Sequence, residues 1–489
     1  MGQRLRSLKS DESGQVLPLL AFMMIALLAM LALVIDVGHA YLIHRELQAS
    51  CDAAALAGAT AIPYTVDKSG VQTIATNYSS VSGGYNAING LNGVTMVSGY
   101  PMLKCLSSMQ AQGISCVGYT PYNAVQVKQK ATVNTYFGKL IGFPTITIAA
   151  SATATKGGGP SRPYNIVLML DTSLSMNFYD ADCGATQMQC GLAGVQILLQ
   201  HLDPCGTSQP TCVVTAGNAA NSVARVSIFT FPQMTYPTVS YDSQCGSSTA
   251  TATTYTFPAA GATSYTPGTS SSSTTYRVTD FQSDYRVSDT ATSLYNSSLL
   301  TIAAGGAGGC SGMGAPANAG DYGTYYAATI YAAQAALTQA KAANPGSQNV
   351  LIILGDGDAN APHTNGPYTV MGSGATSNGK YPSWLGECGQ AITAANAATA
   401  AGTTVYSVAY GSPSAGCTTD LGAGDFPNVQ PCNEMAQLAS HSWDFFSDYK
   451  QTGSASTCVA AQTEVALSDI FLQIAGDLTE ARLISDGAA

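Results

Sequence analysis

The chain has 489 residues, only 9% of them charged, a net charge of −10 and no cluster of Lys and Arg beyond its first few residues. That length allows two or three domains with a large core. The charge balance argues against nucleic acid as a partner, because nothing offers the phosphate backbone a basic face.

In chain order, residues 1–15 carry Arg4, Arg6 and Lys9 and little that could pack; they read as a cytoplasmic N-terminus. Val16 to Ile35, VLPLLAFMMIALLAMLALVI, has no charge over twenty residues. At about 1.5 Å per residue this crosses a hydrocarbon core of about 30 Å. A transmembrane helix is expected over 16–37, retained as an anchor because the run is longer than a signal-peptide core. The basic N-terminus predicts that end to be cytoplasmic and the rest translocated. Residues 38–61 are Ala-rich, with Leu42, Leu47, Ala54 and Leu56 on a helical repeat, and read as a membrane-proximal helix. After the apolar span come D-V-G-x-x-Y from Asp36, R-x-L-Q from Arg45, and C-D-A-A-A-L-A-G-A from Cys51. This combination resembles the N-terminal region of TadG-like proteins of the tight-adherence (Flp) pilus-assembly system. The resemblance implies an inner-membrane, single-pass protein with its bulk in the periplasm and another pilus-assembly component as partner.

Residues 62–155 read as a small β-rich domain. Turns rich in Gly, Ser and Asn separate short strands, and NAVQVKQKATV alternates with Val125, Val127, Ala131 and Val133 on related faces. A further strand is expected at Thr145 to Ala149. Residues 156–163, KGGGPSRP, read as a flexible linker.

From 164 to 489 the pattern alternates strand and helix. Apolar runs at Ile166 to Leu170, at ARVSIFTF up to Phe231, at NVLIILG and at TTVYSVAYG read as buried strands. Between them LAGVQILLQHL, TYYAATIYAAQAALTQA and CGQAITAANAATAAG read as helices. The tail segment TEVALSDIFLQIAGDLTEARLIS is amphipathic, with Leu467, Ile470, Phe471, Ile474 and Leu478 at spacings of three and four. This implies an α/β fold with a mostly parallel, doubly wound sheet. Residues 232–321, rich in Ser, Thr, Tyr and Gly, interrupt it as an insertion expected on the face of the candidate site, either selecting a partner or covering the site.

The candidate site comes from three strand ends. Asp171, Ser173 and Ser175 alternate in the loop after the first strand, Thr324 opens a helix, and Asp356 ends the NVLIILG strand. Carboxylates and hydroxyls converging at strand ends suit a hard cation such as Mg²⁺ or Mn²⁺. DTSLS, then GT before a helix, then an apolar strand ending in DG, resembles the von Willebrand factor A domain. The resemblance implies a metal-ion-dependent adhesion site made of Asp171, Ser173, Ser175, Thr324 and Asp356, with an open position for an acidic side chain of a protein partner. Gly355 departs from that family, where Thr or Ser usually precedes the Asp, and Asp358 is an additional carboxylate.

Thirteen cysteines include no C-x-x-C, and the five His are scattered. Twelve lie beyond residue 100; Cys183/Cys190 and Cys205/Cys212 each enclose six residues, and Cys105/Cys116 and Cys417/Cys432 are near neighbours. Local disulfides in an oxidising compartment are expected, with Cys245 and Cys310 tying the insertion and Cys51 left over. No enzyme is expected. LMLDTS and ILGDGD lack the D-[TS]-G form of aspartic proteases, and there is no G-x-S-x-G motif. The expected function is a membrane-anchored, metal-dependent binding component of a pilus assembly system; a surface-exposed adhesin is the alternative.

Overall fold

The computed structural model describes residues 16–62, 68–88, 93–110, 114, 116, 122–161, 163–205, 211–212, 222–231, 277–315, 323–361, 375–448, 458, 460 and 466–485. The N-terminus before Val16, most of the insertion, Cys245 and His363 therefore lie outside the described residues. The chain divides into two compact units: residues 1–108 with 121–156 and 481–489, and residues 109–120 with 157–480.

The first unit is organised on α1 (Val16–Ala61), a single unbroken helix of 46 residues. At 1.5 Å per residue it is about 69 Å long. The expected span and the expected membrane-proximal helix are thus one element. Its most apolar 18-residue window has a mean hydropathy of 2.8 and no buried residue. From Asp36 onward one stripe turns inward: Asp36, Ala40, Leu47, Cys51, Ala54 and Gly58 follow a helical repeat and are buried. That stripe packs on α2 (Lys68–Asn77) and on a sheet of β1 (Thr95–Met96), β2 (Met102–Lys104), β3 (Ala124–Asn134) and β4 (Thr145–Ser161). Strand β3 pairs antiparallel with β1, β2 and β4. The alternation read from the sequence holds, since Val125, Val127, Ala131 and Val133 are all buried. A Cβ on Gly58 would stand 3.0 Å from Ala75 Cβ and 3.1 Å from Val125 Cγ1, so the glycine sets how closely the helix approaches its neighbours. Cys51 is a buried thiol whose Sγ lies 3.3 Å from the Ala150 carbonyl oxygen, a poor position for linking two chains.

The stretch read as a flexible linker is extended, because β4 continues through it to Ser161. A Cβ on Gly157 would meet the Gly476 carbonyl and the Thr479 hydroxyl at 2.7 Å, so this glycine allows close packing.

The second unit holds a five-stranded sheet of β5 (Tyr164–Asp171), β6 (Ala224–Phe231), β7 (Gln348–Gly355), β8 (Thr403–Ala409) and β9 (Phe445–Ser447). The order across the sheet is β6-β5-β7-β8-β9, and every pairing is parallel. Both faces are buried, as the continuous apolar runs require. Val167, Met169, Leu351 and Ile353 pack under α4 (Tyr326–Ala343), α5 (Glu387–Ala400) and α6 (Pro431–Leu438). On the other face Ile166, Leu168, Ile352 and Leu354 pack with α3 (Gln187–His201) and α7 (Leu467–Asp477). The amphipathic helix matches the apolar positions Leu467 to Leu478 but not the whole tail segment read with them. Helix α7 stops at Asp477, and Thr479–Ile484 forms β10, which joins the antiparallel sheet next to β4.

Within the insertion, residues 277–315 are described. Val226 and Phe229 of the outer strand β6 form antiparallel bridges with Gln282 and Arg277. This part of the insertion covers a sheet edge that would otherwise present unpaired backbone groups. Disulfides join Cys183 to Cys190 and Cys205 to Cys212, as expected. Cys417 pairs with Cys388 and Cys432 with Cys458, which corrects the Cys417/Cys432 grouping. Cys105, Cys116 and Cys310 are each disulfide-bonded.

Candidate functional site

The chain leaves β5 toward one edge through β6 and returns on the other side through β7. The direction of winding therefore reverses between β5 and β7, and the carboxyl ends at such a reversal are where open α/β sheets place ligands. Asp171 is the last residue of β5, and Asp356 immediately follows β7. The sheet itself thus brings together two acids 185 residues apart in sequence.

After Asp171 the backbone is pinned by Thr172, whose N–H donates to the Phe231 carbonyl at 2.9 Å and whose hydroxyl lies 2.8 Å from that of Thr230. A single 3₁₀ turn, Leu174–Asn177, then brings the hydroxyls of Ser173 and Ser175 within 3.0 Å of each other. Ser175 Oγ donates to Asp356 Oδ2 at 3.0 Å. Asp171 Oδ1 accepts the Ser173 N–H at 2.7 Å, whereas Asp171 Oδ2 is buried and has no hydrogen-bond partner. Asp171 is fully buried, and burial followed by the charge of Asp356 pushes its carboxyl well above the usual carboxylate range. Burial raises Asp356 to about 6.

Thr324 is buried in the loop that enters α4, and that loop is latched to the β7 loop. Its N–H donates to Asn360 Oδ1 at 3.3 Å, and its carbonyl accepts the Asn360 N–H at 3.0 Å. The structure therefore links four predicted residues, Asp171, Ser173, Ser175 and Asp356, through direct contacts and shared charge, and ties the fifth to the same loop through Asn360. Asp358 turns elsewhere: its carboxylate accepts the Cys417 N–H at 2.7 Å and the Asn360 amide at 3.0 Å.

Three further residues that sequence reasoning missed shape the site. Asn360 was legible in principle as the third member of D-x-D-x-N. Tyr326 had no signal in its Ala- and Tyr-rich helix. Its buried hydroxyl accepts the Gly357 N–H at 2.9 Å and lies against Gly355, where a Cβ would collide with it. Ser412 braces the same loop by donating its hydroxyl to the Asp356 carbonyl.

Close to Asp356 lies a group of buried acids. Glu387 and Glu434 are fully buried, and each has one carboxylate oxygen without a partner. Burial, with Asp420 and Asp358 adding, pushes Glu387 up to about 9. Glu434 is raised well above its ordinary range by burial and by the surrounding acids. Two Cys-Cys-Asp groupings, Cys205/Cys212/Asp289 and Cys388/Cys417/Asp420, have metal-like spacing, but in each the sulfurs are joined in a disulfide.

Two crystal structures of the pilus adhesin SpaC from Lactobacillus rhamnosus GG, one in an open conformation, align with 73% of this chain at 13% and 14% identity. The TM-scores are 0.32 and 0.33, and the chain spans about a third of the adhesin, 32% and 33% of its length. At that likeness nothing of the adhesin's function transfers. No curated protein matches the chain significantly in sequence. Family models do match. Residues 14–61 fit the Tad family, described as Flp pilus-assembly TadE/G-like, and residues 44–154 fit Tad_C, described as Tad-like Flp pilus-assembly. From residue 14 to residue 154, through the apolar helix and the antiparallel unit built on it, the chain is therefore similar to pilus-assembly proteins of the Tad type.

Proposed function

We propose that this chain is a membrane-anchored, extracytoplasmic component of a Tad-type pilus system. In this reading its second unit is a von Willebrand A-like module that binds a divalent cation, Mg²⁺ or Mn²⁺, and through it a protein partner. The observation that carries the proposal is the Asp171 carboxylate, which is buried at the winding reversal with one oxygen lacking any donor. A buried carboxylate left bare is costly: it takes up a proton, as its raised pKa reflects, or a cation completes it, and the second is our reading. The donors around it are carboxylates and hydroxyls only, the ligand chemistry of a hard cation.

Asp171, Ser173, Ser175, Thr324 and Asp356 would hold the ion, and their two carboxylates would balance its charge. A bound ion there would supply an electrophilic position for an acidic side chain of another pilus-assembly component. The other residues act as supports. Thr172 and Tyr326 fix the two loops, and Asn360 holds the Thr324 loop to them. This reading assigns the chain no catalytic chemistry. It has α1 crossing the inner membrane once with a cytoplasmic N-terminus, and the chain beyond the span in the periplasm.

A tagged full-length chain, recovered from membranes with Mg²⁺, with chelator, and as Asp171→Ala, tests the reading. The expected result is a pilus-system protein captured only with Mg²⁺ and intact Asp171. Equal capture in all three would overturn the metal-dependent mechanism. Digestion of the second unit by protease added to intact cells would favour the surface adhesin instead.

A further inference from the structure

The turn joining β3 to β4 carries an apolar surface that the packing of the first unit does not use. In YFGKLIGF, residues 136–143, five of eight residues are large and apolar. Their exposures are 55% for Tyr136, 40% for Phe137, 77% for Leu140, 76% for Ile141 and 67% for Phe143. Loop tips facing water are ordinarily polar, and a contiguous exposed apolar patch marks a contact surface.

The turn is also held at one height on α1. Asp36 follows directly on the last residue of the charge-free run, and its buried carboxylate is aimed at the turn. It accepts the N–H of Tyr136 at 2.6 Å, of Gly138 at 2.6 Å and of Phe137 at 3.1 Å. The His39 ring stands 5.0 Å from that of Tyr136. The turn is closed on itself by Thr135, whose hydroxyl donates to the Phe143 carbonyl at 2.6 Å, and by the Phe143 N–H donating to the Gly138 carbonyl at 2.9 Å. The patch therefore adjoins the end of the apolar run, where Val34 and Val37 of α1 are themselves 66% and 53% exposed.

We infer that this turn is a second membrane contact, seated in the leaflet from which α1 emerges. Phe137, Leu140, Ile141 and Phe143 enter the boundary between headgroups and acyl chains, and Lys139 reaches the lipid phosphates. The proposal rests on reading α1 as a membrane span. A bilayer is the occupant because the patch continues the unburied apolar surface of α1, which is the surface that lipid covers. The composition agrees, since aromatic residues and a basic side chain are what the interface favours. Asp36 then acts as a pin. Its three backbone donors satisfy a carboxylate at the membrane edge and fix the depth of the turn.

The full chain, reconstituted into nanodiscs of phosphatidylcholine brominated near the glycerol or deep in the acyl chain, gives the test. Phe143→Trp and Leu140→Trp report the turn, Phe22→Trp reports the span, and the native Trp384 and Trp443, both in the second unit, are subtracted as background. The expected result is blue-shifted emission from the turn, quenched most by shallow bromines, with Phe22→Trp also quenched. Quenching at Phe22→Trp with water-like, unquenched emission from both turn variants would overturn the proposal and leave the span intact. Loss of quenching at all three sites would overturn the span reading and the turn with it.

Discussion

Position 355 shows how one side chain settles a neighbour's identity. Gly355 stands where a von Willebrand A-like loop would carry Ser or Thr, and the Tyr326 hydroxyl occupies the space their Cβ would need. Gly355→Ser is expected to cost about 1–3 kcal/mol through overpacking, read as a lower thermal midpoint. The buried acids make a different prediction. Burial raises Glu387 to about 9 and Asp448 to about 7, both above their ordinary values of 4.5 and 3.8. Between those ordinary values and the raised ones the folded chain keeps protons that the unfolded chain releases. Stability in chelator therefore falls as pH rises from about 5 to about 9. Glu387→Gln should flatten the part of that decline above pH 7 in thermal melts, and an unchanged slope would contradict the assignment. Asp171, Ser173, Ser175 and Asp356 were legible in the sequence because each sits next to an apolar run whose end is easy to see. Tyr326 and Glu387 were not, because nothing local shows which loop a helical residue faces.

Among the elements, helix α1 and strand β3 are joined where Gly58 meets Val125 and Ala75. Gly58→Val would push α1 against the Ala75 and Val125 side chains. A loss of about 1–3 kcal/mol is expected, measured by thermal unfolding of the full chain in detergent. An unchanged midpoint would mean that this contact does not hold the unit together. The strands of the parallel sheet were readable because burial on both faces writes itself as continuous apolar sequence. Helix α2 was not, since KSGVQTIATN is poor in helix formers and is held by the burial of Val71 and Ala75. The split of the tail into α7 and β10 was equally hidden. TEARLI could have continued the helix, and it turns extended where β10 finds a place in a sheet built mainly from residues more than 300 positions earlier.

For the molecule as a whole, the glycine-rich stretch is part of strand β4, which runs on to Ser161. Glycine marks close contact as readily as freedom, and only the neighbours of Gly157 tell the two apart. Disulfides followed the same rule of distance. Pairs seven positions apart were visible as pairs, while Cys388–Cys417 and Cys432–Cys458, separated by 29 and 26, depend on how helices and loops fold back. The unbroken run of α1 has a mechanical consequence. No hinge separates the apolar segment from the 26 residues between Asp36 and Ala61, which at 1.5 Å each form a rod of about 39 Å. If the apolar segment crosses a bilayer, load applied to the antiparallel unit reaches that bilayer through a rigid rod, as torque as well as tension.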